Sequence, residues 1–233
     1  MSTDRLSSLK SLIVKDLGLS RYREAWELQQ RLQHNLIQSI SGTGAEYCAD
    51  ICEYLLLTEH YPVYTLGRRG HPENMLLSAD ALRSRGVELI QIERGGDITY
   101  HGPGQLVAYP IISLLRHHLG VKDYVNLLEE AVIRTIDRYG LTGERVAGAT
   151  GVWLGKGTDH ERKICAIGVK CTRFVTMHGL ALNVNTDLRS FSAINPCGFV
   201  DKGVCSIASE LGHEVDMRDV KRIFADCFVS LML

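Results

Sequence analysis

Between residues 20 and 39, Tyr22, Ala25, Trp26, Leu32 and Leu36 recur at three- and four-residue intervals with Gln29 among them, and Arg and Glu fill the outer positions. This period predicts an amphipathic helix over 20–39, begun by the serine. A second helix is predicted over 122–139, where Tyr124, Leu127, Leu128, Ala131, Val132, Thr135 and Ile136 share one side and Gly140 is the stop. A short helix follows Ser78, and a closing one runs from a cap at Asp216 to about residue 230. Short apolar runs lie at 54–57 and 63–66, and the stretches 87–93, 106–112, 151–154, 163–169 and 175–183 read as strands. Strands and helices intermingle without a regular βαβ alternation, which predicts an α+β fold, a single domain with a mostly antiparallel sheet backed by helices. A doubly wound sheet is the competing architecture, and the irregular order disfavours it. No repeat, low-complexity tract or charge block marks a second domain.

Composition limits the partners. The chain has 233 residues, 45% of them hydrophobic and 23% charged, with a net charge of -1. This suits a full-sized core and excludes nucleic-acid binding by global basicity, so no nucleic-acid partner is expected. No apolar stretch is long enough for a membrane span, and residues 1–11 resemble neither a secretory signal nor a transit peptide. The expected location is cytoplasmic, or the mitochondrial matrix if the source is eukaryotic. Seven cysteines, Cys48, Cys52, Cys165, Cys171, Cys197, Cys205 and Cys227, contain no CxxC pair. They read as reduced thiols, with neither a disulfide framework nor a metal site expected. Cys48 and Cys52 would share a face if their segment were helical, and Cys165 sits in an apolar run.

Three segments carry candidate chemistry. Cys197 lies between Pro196 and Gly198, which suit a turn able to present a thiol to a ligand, although a free cysteine is by base rate a small buried hydrophobe. Reactivity needs a nearby cation to stabilise the thiolate. Lys163 is the candidate, at the mouth of the run Ile164-Cys165-Ala166-Ile167-Gly168-Val169. There a lysine is partly desolvated, and the bland alternative is a snorkelling strand-end side chain. Arg162 competes for the role but is a poor proton shuttle. The third segment is Arg94-Gly95-Gly96-Asp97-Ile98-Thr99-Tyr100-His101, predicted on a connection between strands, followed by Gly102-Pro103-Gly104-Gln105. It lacks the Lys-Ser/Thr ending of a P-loop, but its glycines let backbone amides approach an acyl carbonyl, and Thr99, Tyr100 and His101 offer hydrogen bonds. The cluster Met177 to Asn183 is placed to line the same pocket.

These blocks, with Arg162-Lys163-Ile164-Cys165-Ala166-Ile167-Gly168-Val169-Lys170, His178-Gly179-Leu180-Ala181-Leu182-Asn183-Val184 and Tyr64-Thr65-Leu66-Gly67-Arg68-Arg69-Gly70, stand in one order along the chain. In that order they resemble the signature blocks of the lipoyl(octanoyl) transferases. The resemblance spans roughly residues 12–230 and implies the fold of the biotin and lipoate protein ligase catalytic domains. In it, 1–11 is an N-terminal extension and 12–233 the octanoyltransferase catalytic domain. It implies that octanoyl passes from octanoyl-acyl carrier protein, through an acyl-thioester on Cys197, to the acceptor lysine of apo lipoyl domains. Those domains belong to 2-oxoacid dehydrogenase complexes and the glycine-cleavage H protein. Cys197 and Lys163 would be the catalytic residues, Lys163 lowering the thiol pKa. Arg94, Gly95, Gly96, Asp97, Ile98, Thr99, Tyr100 and His101, then Ala166, Ile167 and Gly168, then Gly179, Leu180 and Ala181 would form the acyl pocket. No cofactor, metal or ATP is implied. Cys165 departs from the pattern, since many relatives have alanine there. The alternatives are an ATP-dependent lipoate or biotin ligase and a non-catalytic acyl-binding protein of the same fold. Arg68, Arg69, Lys170 and Arg173 are the candidate cations for docking an acidic carrier.

Overall fold

The computed structural model describes residues 12–41, 52–195 and 203–232. Within them an eight-stranded sheet has β1 (Leu12–Ser20), β2 (Glu53–His60), β6 (Gln105–Ile111), β10 (Val175–Asn183), β9 (Arg162–Thr172), β8 (Ala149–Leu154) and β7 (Glu144–Val146) in spatial order, and β11 (Gly203–Val204) also pairs with β9. Only the β1–β2 and β11–β9 pairings are parallel, so the sheet is mostly antiparallel as predicted. A second sheet of three strands, which the sequence pattern did not separate from the first, has β3 (Val63–Leu66) between β4 (Glu88–Gln91) and β5 (Ile98–His101).

The predicted helices form, with shifted ends. Helix α1 (Tyr22–Ser41) follows β1 directly, and Ser20 is a strand residue whose hydroxyl lies 2.8 Å from that of Thr58. The short α2 (Ala79–Ser84) starts as expected, with the Ser78 hydroxyl accepting the Ala81 N–H. Helices α3 (Val121–Asp137) and α5 (Met217–Met232) share one large apolar core with one face of the sheet, and α4 (Ile207–Leu211) adds Ile207 to it. Tyr124, Leu128, Val132 and Ile136 of α3 meet Phe224 and Phe228 of α5 over Leu55, Leu57, Leu106 and Leu180. Each fully buried large side chain there contributes about 1.5–3 kcal/mol. Alternation along the strands sends Leu56, Val107, Tyr109 and Ala181 to the other face, against Ala25 of α1.

Helix α1 is attached by more than apolar contact. The Gln33 side chain donates to the Val175 carbonyl at 2.9 Å, and the Gln29 side-chain oxygen accepts the His178 N–H at 2.9 Å. The small sheet is enclosed on both sides. Val63, Ile90 and Ile92 pack with Tyr22, while Tyr64, Leu66, Ile98 and Tyr100 pack with Met75, Leu82, Ala193 and Ile194.

Candidate active site

The predicted pocket segments converge on the middle of β9. The pairing of β9 with β10 sets Ala166 opposite Ala181, Ile167 opposite Leu180 and Gly168 opposite Gly179. Leu180 lies in the α3/α5 core and Ile167 packs against it, so these two contribute backbone rather than side chain to the other face. The glycine-rich segment docks there, because the Gly95 N–H donates to the Val169 carbonyl at 3.0 Å. A Cβ on Gly168 would stand 2.7 Å from the Gly95 carbonyl and 3.0 Å from Arg94 Cδ, so only glycine permits this approach.

Arg94 is buried, and burial lowers its pKa, yet a guanidinium remains charged under ordinary conditions. Its fork is fixed by the Thr65 carbonyl at 2.8 Å, the Thr65 hydroxyl at 3.0 Å and the Gly95 carbonyl at 3.0 Å. Asp97 braces the loop, accepting from the Asn74 amide at 2.8 Å and from the Ile98 N–H at 2.7 Å. Residues 98–101 are a strand rather than a plain connection, so their side chains alternate: Ile98 and Tyr100 join the α2 cluster, and Thr99 and His101 take the opposite side. His101 lies 2.8 Å from the Gln105 side-chain oxygen and stacks on Tyr22. Burial pushes its pKa down to about 3 and holds it neutral.

Around it lie further polar groups, of which the sequence pattern did not single out His60 and Tyr109. His60 is 2.7 Å from the Tyr109 hydroxyl, and burial lowers its pKa to about 4. Gln105 donates to the Asn183 side chain at 2.9 Å, and Asn183 donates to the Cys205 carbonyl at 3.0 Å. A usable signal was the polar residues inside otherwise apolar strands, Thr65 and Gln105 among them. His178 has φ 61, and burial, then Arg94, lowers its pKa to about 3. Its two ring nitrogens, Gln29 Nε2 and Trp26 Nε1 are buried without a hydrogen-bond partner among the described residues.

Lys163 stands near the start of β9, three residues before Ala166. Its ammonium lies over the Trp153 ring, 4.6 Å from the centroid. Arg162, its competitor, is committed elsewhere, in an ion pair with Glu210. Cys197 lies outside the described residues, as do Pro196 and Gly198. The described chain stops at Asn195, whose N–H donates to the Asn74 carbonyl at 2.8 Å, and resumes in β11 with Val204 paired to Lys163. Cys165, two residues after Lys163, is fully buried, and burial drives its thiol pKa far up. Cys48 also lies outside, and the five described cysteines are free thiols. No group of three or more metal-ligating side chains occurs among the described residues, and none of their helices is long and apolar enough to cross a membrane.

Of the four docking candidates, Arg68 and Arg69 adjoin the site, their N–H groups donating to the carbonyls of Arg94 and Gly96. Lys170 is ion-paired with Glu93. Arg173 is at the β9–β10 turn with φ 49, ten residues along from Lys163 and about 33 Å away at strand rise.

Comparison with known proteins agrees with this architecture. The lipoyl protein ligase A/B catalytic-domain model matches residues 21–229. An octanoyltransferase of Bacteroides thetaiotaomicron is 54% identical over 214 residues, covering 92% of each chain. One of Parabacteroides distasonis is 47% identical over 224 residues, covering 96% of this chain and 99% of its own. Among solved structures, a bipartite lipoate protein ligase of Thermoplasma acidophilum superposes with a TM-score of 0.67 at 16% identity, over 94% of this chain and 82% of that one. A lipoate-protein ligase A bound with ATP gives 0.66 at 16% identity, over 94% and 84%. At such identities the structural likeness bears on the fold alone. A family model matched from α1 to α5, with curated relatives near half identity over nearly the whole length, places this chain in the lipoyl protein ligase A/B catalytic-domain family.

Proposed function

We propose that this chain is an acyltransferase of protein lipoylation, taking octanoyl from octanoyl-acyl carrier protein and passing it to the acceptor lysine of an apo lipoyl domain. The observation that carries the reading is the seating of Arg94 and Gly95 on Gly168. Their contact joins the glycine-rich segment to the strand that bears Lys163, with the chain after Cys197 re-entering beside that lysine.

In the proposed reaction Lys163 favours the Cys197 thiolate, which attacks the carrier thioester carbonyl. The new bond is Cys197 Sγ to the acyl carbon, the broken one is acyl carbon to carrier sulfur, and the carrier leaves as a thiol after taking a proton. The deprotonated lysine amine of the lipoyl domain then attacks the acyl-enzyme, an amide forms, and Cys197 is released as a thiol. Arg94 to Asp97, Thr99 and His101, with Ala166, Gly168, Gly179 and Ala181, line the acyl chain, while Ile98 and Tyr100 turn into the α2 cluster. The donor is already activated as a thioester, so neither nucleotide nor metal enters the balance. An ATP-dependent ligase would activate a free acid and would have no use for a thiol between Pro196 and Gly198.

The test is intact-mass spectrometry after mixing the protein with octanoyl carrier protein in EDTA without nucleotide. One octanoyl adduct is expected, mapped to the Cys197 peptide, absent from Cys197→Ala and discharged by an apo lipoyl domain. Octanoylation of the acceptor only with ATP and magnesium would place the chain with the ligases.

A further inference from the structure

The pairing of β8 with β9 slips by one residue beside Lys163. Val152 pairs with Cys165, but Trp153 pairs with Lys163 and Leu154 with Arg162. Had the ladder continued unshifted from Val152, Trp153 would oppose Ile164 and Lys163 would oppose Leu154. A bulge of this kind redirects a side chain, and such irregularities concentrate beside active sites. Here it puts the lysine opposite the one aromatic residue of β8.

The surroundings hold that arrangement. Trp153 is 1% exposed, and its indole N–H donates to the Ala149 carbonyl at 2.8 Å, which sets the ring plane. Gly151, two residues before Trp153, has φ 123, and a Cβ on it would stand 2.4 Å from the Cys165 carbonyl, so the two strands close up just ahead of the slip. The Gly151 N–H donates at 3.0 Å to the buried carboxylate of Glu129 on α3, which Arg145 pairs at 3.0 Å. The bulged segment is thus tied to the helix behind it. Against this fixed ring the Lys163 ammonium lies 4.6 Å from the centroid, within the range where a cation is attracted to an aromatic face.

We infer that Trp153 is a positioning residue for the transfer reaction: its ring, set opposite Lys163 by the β8–β9 bulge, holds the lysine ammonium where it stabilises the thiolate of Cys197. This rests on the reading of Lys163 as the residue that activates Cys197. A flexible lysine chain otherwise samples many rotamers, and the fraction of time spent near the thiol sets how much it contributes.

The experiment follows alkylation of the Cys197 peptide by iodoacetamide as a function of pH, in the full chain and in Trp153→Leu, Trp153→Phe, Lys163→Met and Trp153→Leu/Lys163→Met. Lys163→Met is expected to move the alkylation midpoint to higher pH. Trp153→Leu should move it the same way and slow alkylation at neutral pH about tenfold, whereas Trp153→Phe, which keeps a ring face, should stay within about threefold of the parent. Adding Trp153→Leu to Lys163→Met should leave the midpoint of the single Lys163 variant unchanged, because the tryptophan acts only through the lysine. If Trp153→Leu does not melt cooperatively, Trp153→Met takes its place in both backgrounds. A parent-like profile in the tryptophan variant beside a shifted Lys163→Met profile overturns the inference and spares the role of Lys163. An additive shift in the double variant also overturns it, since the ring would then act on the thiol by another route. A parent-like Lys163→Met profile removes the proposed role of Lys163, and the inference falls with it.

Discussion

Two buried regions of this protein are made of different material. Beneath α3 and α5 the large sheet packs leucines, valines, isoleucines and phenylalanines into one large apolar cluster. Around α1 and the small sheet the chain buries Gln29, Gln33, His60, Thr65, Arg94, His101 and Gln105. Apolar packing is non-directional and tolerates repacking, whereas a buried guanidinium or imidazole is retained only where each partner stands at bonding distance. The first region therefore supplies stability, and the second accepts a stability cost to hold polar groups in one arrangement beside β9. The unmatched ring nitrogens of His178 belong to the second region, and a buried polar group without a partner costs about 1–3 kcal/mol.

The largest expected effect separates the two directly. Phe224→Ala should cost about 3–5 kcal/mol, read as a lower urea midpoint, while the activity of the folded enzyme stays within about twofold of the parent. A comparable loss of turnover in the folded variant would show that the apolar region also shapes the site.

Acid should break the polar region first. His60, His101 and His178 have folded-state pKa values lowered by burial to about 4, about 3 and about 3, against 6.5 when exposed. The unfolded chain binds more protons than the folded one below pH 6.5, so stability is lost as pH falls from there toward the folded values. Each histidine contributes a slope of up to about 1.4 kcal/mol per pH unit, and urea unfolding at pH 7, 6 and 5 measures the sum. His178→Gln should remove about one proton from that slope. An unchanged slope would mean that His178 is already charged in the fold.

Chain length sharpens the contrast from the substrate side. If the floor formed by Ala166, Gly168 and Ala181 is a closed acyl pocket, hexanoyl should be used roughly tenfold less efficiently than octanoyl, two methylenes being worth about 0.8 kcal/mol each. Equal kcat/KM from six to sixteen carbons would reject a closed pocket there. The smallest effect is expected from Thr65→Val, which removes one acceptor from the Arg94 fork at nearly constant volume. About 1 kcal/mol of stability and a few-fold drop in acyl-donor kcat/KM should follow, measured by urea unfolding and steady-state assay.

Legibility in the sequence follows the same division. Helices α1, α3 and α5 were readable because a 3.6-residue period is written locally, and the faces predicted for α1 and α3 are largely buried, with Leu128, Val132 and Ile136 as examples. Strand β1 was missed because its residues are largely exposed along a sheet edge and carry no clean alternation. Strand β5 was hidden by the glycines before it and by Gly102 and Pro103 after it. The three segments that the sequence blocks offered for an acyl pocket pack together at β9, but Ile98, Tyr100, Ile167 and Leu180 turn into apolar clusters, a matter of strand phase that the blocks do not carry.

The sequence by itself determined the α+β class, the helical faces, the family and the residue types offered for chemistry, because periodicity and ordered motifs are properties of neighbours along the chain. Tertiary structure alone decided that Gly95 rests on Val169, that Arg94 is held by Thr65, and that Lys163 faces Trp153 rather than Leu154. These depend on register between distant segments, where a slip of one residue exchanges every cross-strand partner while leaving the local hydrophobic pattern unaltered.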